Sequence, residues 1–107
     1  MSTNLHQLVR PLQPWADKLL KLAQSRGTPV SVTSVRRTRG LQRRLYQDFL
    51  QGRSRYPAAP PGRSKHELGL AFDIVGSPEV LAYLGKVWES WGGTWGGRFH
   101  DPIHFEA

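Results

Sequence analysis

Three segments of the chain repeat apolar residues at intervals of three or four, the spacing that places side chains on one face of an α-helix. The first segment predicts an amphipathic helix over residues 8–26 that ends at Gly27. Its predicted buried stripe consists of Leu12, Trp15, Leu19 and Leu22. The second segment predicts a helix that is capped by Thr38 and ends at Gly52. Its predicted buried residues are Leu41, Leu45 and Phe49.

The third helical segment follows Ser77 and Pro78, a capping residue and a proline at the first helical position. Its predicted buried stripe consists of Leu81, Leu84, Trp88 and Trp91. Alternation of valine with serine and threonine predicts a strand over residues 29–35. Two further short strands are predicted, over residues 94–99 and 103–106.

Another strand is predicted near residues 69–74, where the two faces differ in character. The core face carries Leu70, Phe72 and Ile74, and the other face carries Gly69, Ala71 and Asp73. Because two small residues precede a carboxylate, we expect this second face to form the floor of a groove with a ligand at its end. His66 lies just before the strand, and a turn at Gly69 would bring its imidazole back towards Asp73.

The order of these elements is helix, strand, helix, loop, strand, helix, strand, strand. It predicts a small α+β fold in which helices pack on one face of a mainly antiparallel sheet and the other face is free for a site. The Pro-rich loop over residues 53–63 leads into the His66 segment. At 107 residues, the chain is expected to form a single domain, residues 1–107.

The charge balance of 15 Lys and Arg against 8 Asp and Glu gives a net charge of +7. Much of it is clustered at Arg36, Arg37, Arg39, Arg43, Arg44, Arg53, Arg55, Arg63 and Lys65. A basic surface of this kind suits nucleic acid, anionic lipid or an acidic cell-wall polymer. A solvated helix face is the alternative interpretation.

Cysteine is absent, which excludes disulfides and thiolate metal sites, so a metal would have to be held by nitrogen and oxygen. His66-Glu67 begins like the H-E-x-x-H motif, but position 70 is Leu and the helical zinc-protease motif is absent. Near the C-terminus, His104 lies between Ile103 and Phe105, so in a strand its imidazole turns away from the core.

His66, Asp73 and His104 together offer two nitrogens and one oxygen, a set that suits Zn²⁺ and leaves a fourth position for water. Asp101 lies in the bend made by Pro102 and is the candidate general base for water attack on a carbonyl. The alternative from another class is a non-catalytic basic module that binds cell wall or nucleic acid, with histidines that are only structural.

Two motifs make the chain recognisable: Ser64-x-His66-x-x-Gly69-x-Ala71-x-Asp73, and Asp101-x-x-His104-Phe105-Glu106. Together with Arg37-Thr38 and Gln42 upstream, they resemble the zinc peptidases of the D-Ala-D-Ala carboxypeptidase and L-alanyl-D-glutamate endopeptidase group, whose fold is shared with the hedgehog signalling domain. The resemblance covers about residues 28–107.

The resemblance implies one Zn²⁺ per chain, bound by His66, Asp73 and His104, with Asp101 as catalytic base. It also implies that Arg37 contacts the substrate and stabilises the oxyanion, although the alignment could instead place Arg36 there. A guanidinium has the charge and geometry for this task. The candidate substrate-binding residues are Ser64, Gln42 and Trp95, the last as a wall of the groove.

The resemblance further implies peptidoglycan as the partner. Asp at the base position, followed by His-Phe-Glu, is similar to phage-type endolysins and favours an L-alanyl-D-glutamate endopeptidase with bacteriolytic action. A D-Ala-D-Ala carboxypeptidase or dipeptidase is the alternative. No separate wall-binding domain is expected, and the basic surface could take its place on anionic wall or outer-membrane components. We expect a monomer without a specific nucleic-acid partner.

The N-terminal residues 1–14 contain no apolar signal-peptide core, and no apolar run is long enough to span a bilayer. The expectation is therefore synthesis in the cytoplasm and action on the cell wall. A phage or prophage lysin released through holin lesions would fit, as would a chain trimmed of its leader.

Overall fold

A four-stranded antiparallel sheet lies at the centre of the computed structural model, which describes residues 3–54 and 57–107. Its strands are β1 (Ser31–Ser34), β2 (Ala71–Val75), β3 (Thr94–Trp95) and β4 (His104–Glu106). Their order across the sheet is β1-β2-β4-β3, so β2 and β4 are neighbours in the middle. The predicted antiparallel sheet is confirmed. Arg55 of the predicted basic cluster lies outside the described residues.

The helices are α1 (Gln13–Ser25), α2 (Arg39–Leu50) and α3 (Pro78–Ser90). Short 3₁₀ helices occur at Thr3–Gln7, Arg10–Leu12, Lys65–Leu68 and Gly96–Phe99. The predicted caps are present, because the hydroxyls of Thr38 and Ser77 accept hydrogen bonds from the first-turn amides of α2 and α3. In the described part of the chain, no helix has the length and apolar character needed to cross a membrane.

The hydrophobic core lies between one face of the sheet and the helices α1 and α3. Phe72 of β2 stacks on its cross-strand partner Phe105 of β4 with ring centroids 5.7 Å apart, and Trp88 of α3 meets Phe72 edge-on at 5.2 Å. Burial of side chains of this size stabilises a fold by about 1.5–3 kcal/mol each. The two central strands are therefore held from one side, and their other face is left for polar groups.

The buried stripe of α1 differs from the prediction. Trp15 is 45% exposed, whereas Ala16 and Ala23 are fully buried beside Leu19. The buried face of α1 therefore includes Ala16, Leu19 and Ala23 and excludes Trp15. The indole of Trp15 instead packs at the surface against Trp91, with ring centroids 5.6 Å apart.

The predicted buried stripe of α2 is wrong. Leu41 and Phe49 are 44% and 37% exposed, and the one buried residue of this helix is Gln42. The reason is that α2 contributes nothing to the core between the sheet and the other helices. It borders a cavity on the opposite face of the sheet, which the polar side chain of Gln42 lines. The predicted strand 94–99 is also shorter, since its glycine-containing second half forms the 3₁₀ helix Gly96–Phe99.

Candidate functional site

Three neighbouring strands align polar side chains on the face opposite the core. Asp73 of β2 is directly paired with His104 of β4 on one side and with Ser34 of β1 on the other. An irregularity in the β1 register between Val32 and Ser34 brings Ser34 opposite Asp73. Because directly opposed residues of antiparallel strands project to the same face, these three side chains form one row.

His66 reaches this row from the 3₁₀ helix before β2. The Ser64 hydroxyl accepts a hydrogen bond from the His66 amide at 3.2 Å, and Gly69 ends the helix with φ of 72°. The turned chain places His66 Nε2 3.1 Å from Asp73 Oδ1. The predicted return of His66 towards Asp73 is confirmed.

The predicted groove floor at Gly69 and Ala71 is wrong. Both residues are buried, and a Cβ on Gly69 would lie 3.0 Å from the Gln7 carbonyl oxygen and 3.4 Å from the Val9 amide. The N-terminal segment therefore covers this end of the strand. The cavity, of about 490 Å³, is instead lined by Asp73 and His104 and by residues of α2 and the Pro-rich loop.

The donor atoms at the centre of this cavity fit a metal ion. His66 Nε2 and His104 Nδ1 lie 3.1 and 3.4 Å from Asp73 Oδ1. The three ligand atoms are all within 4.8 Å of one another. Tetrahedral zinc with metal–ligand bonds of about 2.0–2.1 Å separates its ligand atoms by roughly 3.3 Å. Two imidazole nitrogens and one carboxylate oxygen thus have the chemistry and spacing of a zinc site.

The proton positions on the two rings support the same interpretation. His66 Nδ1 lies 2.6 Å from the Val35 carbonyl oxygen, which can only accept, so Nδ1 carries the proton. His104 Nε2 lies 2.7 Å from a Glu106 carboxylate oxygen and likewise donates. In the neutral rings, the remaining nitrogens direct lone pairs towards Asp73, an arrangement that suits a cation between them.

The charge states of this cluster follow from its contacts. Burial would raise the pKa of Asp73, but hydrogen bonds from His104 and His66 and the charge of Arg37 hold it well below its usual range. Burial would lower the pKa of His104, but the carboxylates of Asp73 and Glu106 outweigh it and raise the pKa. A proton and a metal ion therefore compete for His104 Nδ1.

Arg37 belongs to the site and Arg36 does not. Its guanidinium donates from Nη2 to Asp73 Oδ2 at 2.7 Å, from Nε to Ser34 Oγ at 2.9 Å, and from Nη1 to Gln42 Oε1 at 3.2 Å. Burial lowers the pKa of Arg37, although the nearby Asp73 and Asp101 oppose this. Arg36 is exposed and does not line the cavity.

Gln42 and Ser64 both line the cavity, and both also hold the structure around it. Gln42 accepts from Arg37 and donates from Nε2 to the Ala59 carbonyl at 2.9 Å. It thereby connects the Pro-rich loop to the arginine that holds Asp73. Ser64 caps the helix that carries His66.

Asp101 lines the same cavity, outside the strand that carries His104. Its amide donates to the Gly96 carbonyl at 2.9 Å, and its carbonyl accepts from the His104 amide at 3.0 Å. Its Oδ1 is the one buried side-chain oxygen without a hydrogen-bond partner among the residues described. Burial raises the pKa of Asp101 to about 6. A carboxylate in this state is suited to exchange a proton with a reactant near neutral pH.

Trp95 is placed outside the lining of the cavity. Its indole packs between Gly85 of α3 and Gly97, where a Cβ on either glycine would overlap the ring. Its Nε1 donates to the Pro102 carbonyl at 2.8 Å. The predicted role as a groove wall is replaced by support of the loop that carries Asp101.

Two residues at the centre were not among the predicted site residues. The Val35 carbonyl is a backbone group and has no side-chain signal in the sequence. Glu106 carried a usable signal, because its alternation with Phe105 places it on the His104 face of the strand.

Comparisons with known proteins connect this geometry to one family. The family model for VanY, a D-alanyl-D-alanine carboxypeptidase, matches residues 5–92. The LdcB LD-carboxypeptidase structure has a TM-score of 0.74 and 26% identity, over 92% of this chain and 64% of that chain. This chain therefore spans less than two thirds of LdcB. A comparison with curated proteins found no match.

Two further structures share the fold. A variant of the VanY D,D-pentapeptidase from a VanB-type resistance cassette, solved in complex with Zn(II), has a TM-score of 0.72 and 21% identity, over 92% of this chain and 71% of that chain. The L-Ala D-Glu endopeptidase ChiX of Serratia marcescens has a TM-score of 0.61 and 24% identity, over 96% of this chain and 82% of that chain.

Proposed function

Because this chain belongs to the VanY D-alanyl-D-alanine carboxypeptidase family, we propose that it is a zinc-dependent peptidase of peptidoglycan stem peptides, acting as an L-alanyl-D-glutamate endopeptidase. The observation that carries the proposal is the convergence of His66 Nε2, Asp73 Oδ1 and His104 Nδ1 in a cavity that Asp101 also lines.

In this proposal, His66, Asp73 and His104 hold one Zn²⁺ per chain. The ion would supply Lewis-acid polarisation of the scissile carbonyl and a lowered pKa for the attacking water. Asp101 takes the proton from the water and returns it to the leaving amine. Its buried Oδ1 supports this role, because that oxygen has no hydrogen-bond partner among the described residues and its capacity as an acceptor is unused.

Arg37 has two tasks in the proposed site. Three of its five N–H groups hold Asp73, Ser34 and Gln42, which fixes the orientation of the metal-binding carboxylate. The other two remain for the substrate, where they would stabilise negative charge on the reacting carbonyl or bind a carboxylate of the stem peptide.

The bond between L-alanine and D-glutamate is preferred because of the residues around the base. Asp101 at the base position and the sequence His104-Phe105-Glu106 resemble the corresponding residues of endolysin-type endopeptidases. The family match and the likeness to the LdcB carboxypeptidase favour a second candidate, removal of a C-terminal D-amino acid.

The test combines metal analysis with product analysis. Protein purified without added zinc is analysed for bound metal and then incubated with purified sacculi, and the muropeptides are identified by mass spectrometry. New termini at L-alanine and D-glutamate support the endopeptidase. Free D-alanine as the main product would move the assignment to a carboxypeptidase. Unchanged sacculi and a metal-free folded protein would favour a non-catalytic binding module.

We further propose that the arginines of α2 bring the protein to anionic wall or outer-membrane material. Arg43 and Arg44 are exposed and belong to none of the ion pairs found between described residues, whereas Arg39 approaches Glu67 at 3.8 Å. Replacing both Arg43 and Arg44 by Gln should weaken sacculus binding and reduce its dependence on salt. Lys21→Gln is the control for loss of a single surface charge away from α2, because Lys21 is already paired with Asp17 at 3.0 Å. Equal sacculus binding by the wild type, the double arginine variant and Lys21→Gln would contradict this proposal. Lysis of whole cells would separately test bacteriolytic action.

A further inference from the structure

The two histidines of the site are oriented by different kinds of partner. His66 Nδ1 is held by a backbone carbonyl, that of Val35, at 2.6 Å. His104 Nε2 is held by a side chain, the carboxylate of Glu106, at 2.7 Å. The carbonyl that holds His66 would be present with any residue at position 35. The carboxylate that holds His104 is present only because residue 106 is Glu.

We propose that Glu106 is a positioning residue that makes His104 a metal ligand. Its carboxylate oxygen accepts a hydrogen bond from Nε2–H and thereby keeps the proton on Nε2 and off Nδ1, the nitrogen that faces Asp73 Oδ1 at 3.4 Å. The same hydrogen bond fixes the rotation of the ring about its bond to the backbone. The proposal deepens the assigned function, because it rests on zinc binding at this site.

The neighbouring rings show why this bond matters. His104 is only partly buried, and its ring meets that of His66 edge-on, with centroids 5.1 Å apart. Without an acceptor at Nε2, the neutral ring could place its proton on Nδ1 and donate to Asp73. That tautomer offers no lone pair to a cation at the centre of the site. Loss of the Glu106 carboxylate should therefore weaken metal binding rather than abolish it.

The backbone of Glu106 is held independently of its side chain. It is paired with Ala71 of β2 and Thr94 of β3, and its carbonyl accepts from Trp88 Nε1 at 2.7 Å. Replacing the side chain leaves these hydrogen bonds in place. The fold and the position of β4 are therefore expected to survive the substitution.

The experiment compares the wild type, Glu106→Ala and Glu106→Gln, with Glu79→Ala as a control on the exposed first turn of α3. Zinc affinity is measured by competition with a chromophoric chelator. Removal of a group that orients a metal-binding histidine typically costs about 10–100-fold in affinity. We expect a loss of that size for Glu106→Ala and at most a few-fold loss for Glu106→Gln, whose amide oxygen can still accept the hydrogen bond from Nε2–H. Glu79→Ala should bind zinc like the wild type.

A second measurement addresses the tautomer directly, without metal or activity. Nitrogen chemical shifts of the imidazoles in the metal-free protein, under alkaline conditions, distinguish a proton on Nε2 from one on Nδ1. In the wild type and Glu106→Gln, the proton of the neutral His104 ring should lie on Nε2. In Glu106→Ala, it should exchange between Nε2 and Nδ1. His66 should keep its proton on Nδ1 in all variants.

The outcomes separate this inference from the proposed function. A wild-type protein that binds no zinc would remove the proposed peptidase itself. Zinc binding by the wild type together with equal affinity and an unchanged tautomer in Glu106→Ala would overturn the positioning role alone. A raised KM with unchanged zinc affinity would also overturn it and make Glu106 a substrate contact. Equal losses for Glu106→Gln and Glu106→Ala would likewise overturn the proposal, because they would show that the charge of Glu106 matters and not its hydrogen bond to His104.

Discussion

The site has no room for a side chain at position 96. Gly96→Ala therefore tests the position of the loop that carries Asp101. A Cβ at this position would overlap the carbonyl oxygen of Asp101 and lie 2.9 Å from the Cβ of His104. Carbon atoms in optimal contact are about 3.5–4.0 Å apart, so residue 96 and His104 would have to separate by roughly 0.6–1.1 Å, and the loop would have to shift to relieve the overlap with the Asp101 carbonyl. The Asp101 amide, which donates to the Gly96 carbonyl at 2.9 Å, would move with it.

The expected losses follow from this displacement. Overpacking of this kind costs about 1–3 kcal/mol of stability. A misplacement of about 1 Å in a reacting group can cost on the order of 10²-fold in rate. We therefore expect Gly96→Ala to lower kcat/KM on sacculi by about 10²-fold and to weaken zinc binding through His104.

The matched control is Gly40→Ala in α2, because a Cβ at Gly40 meets nothing within 4 Å. Alanine is also preferred to glycine in a helix by about 0.5–1 kcal/mol, so this variant should be fully active and no less stable. Both variants are assayed well below their unfolding temperatures, which are measured by circular dichroism. Activity of folded Gly96→Ala within twofold of Gly40→Ala would refute the placement of Asp101 and His104 around this glycine.

Three further substitutions and one control test metal binding and chemistry. His104→Ala should remove stoichiometric zinc from a folded domain, and metal analysis that still finds one zinc per chain would contradict the ligand assignment. Asp101→Asn should retain zinc but lose about 10²–10⁴-fold in hydrolysis, the usual contribution of a general base; full activity would exclude Asp101 from the mechanism. Arg37→Ala should reduce the rate by about 10²–10³-fold and should also weaken zinc binding, since Arg37 holds Asp73. Arg36→Ala, at an exposed position, should change neither quantity, and equal effects of the two would indicate that surface charge alone matters.

The sequence by itself determined the order of the elements, the antiparallel sheet and the residues that meet at its polar face. Phe72 and Asp73 lie on opposite faces because side chains alternate along a strand, and the same rule turns His104 and Glu106 away from Phe105. The glycine at position 69 made the return of His66 predictable, because glycine adopts a positive φ easily, and its φ is 72°. These conclusions need only local geometry.

Only the tertiary structure decided what surrounds each element. The apolar spacing in α2 predicted burial of Leu41 and Phe49, but burial depends on what the helix packs against, and α2 borders the cavity through Gln42. The β1 irregularity that brings Ser34 opposite Asp73 has no counterpart in the residue pattern. The tautomer of His66 depends on the Val35 carbonyl, and every residue carries such a carbonyl. The sequence determined which side chains could bind a metal. Contacts between distant backbone segments are set by packing, so the fold decided which nitrogen lone pairs face the metal position.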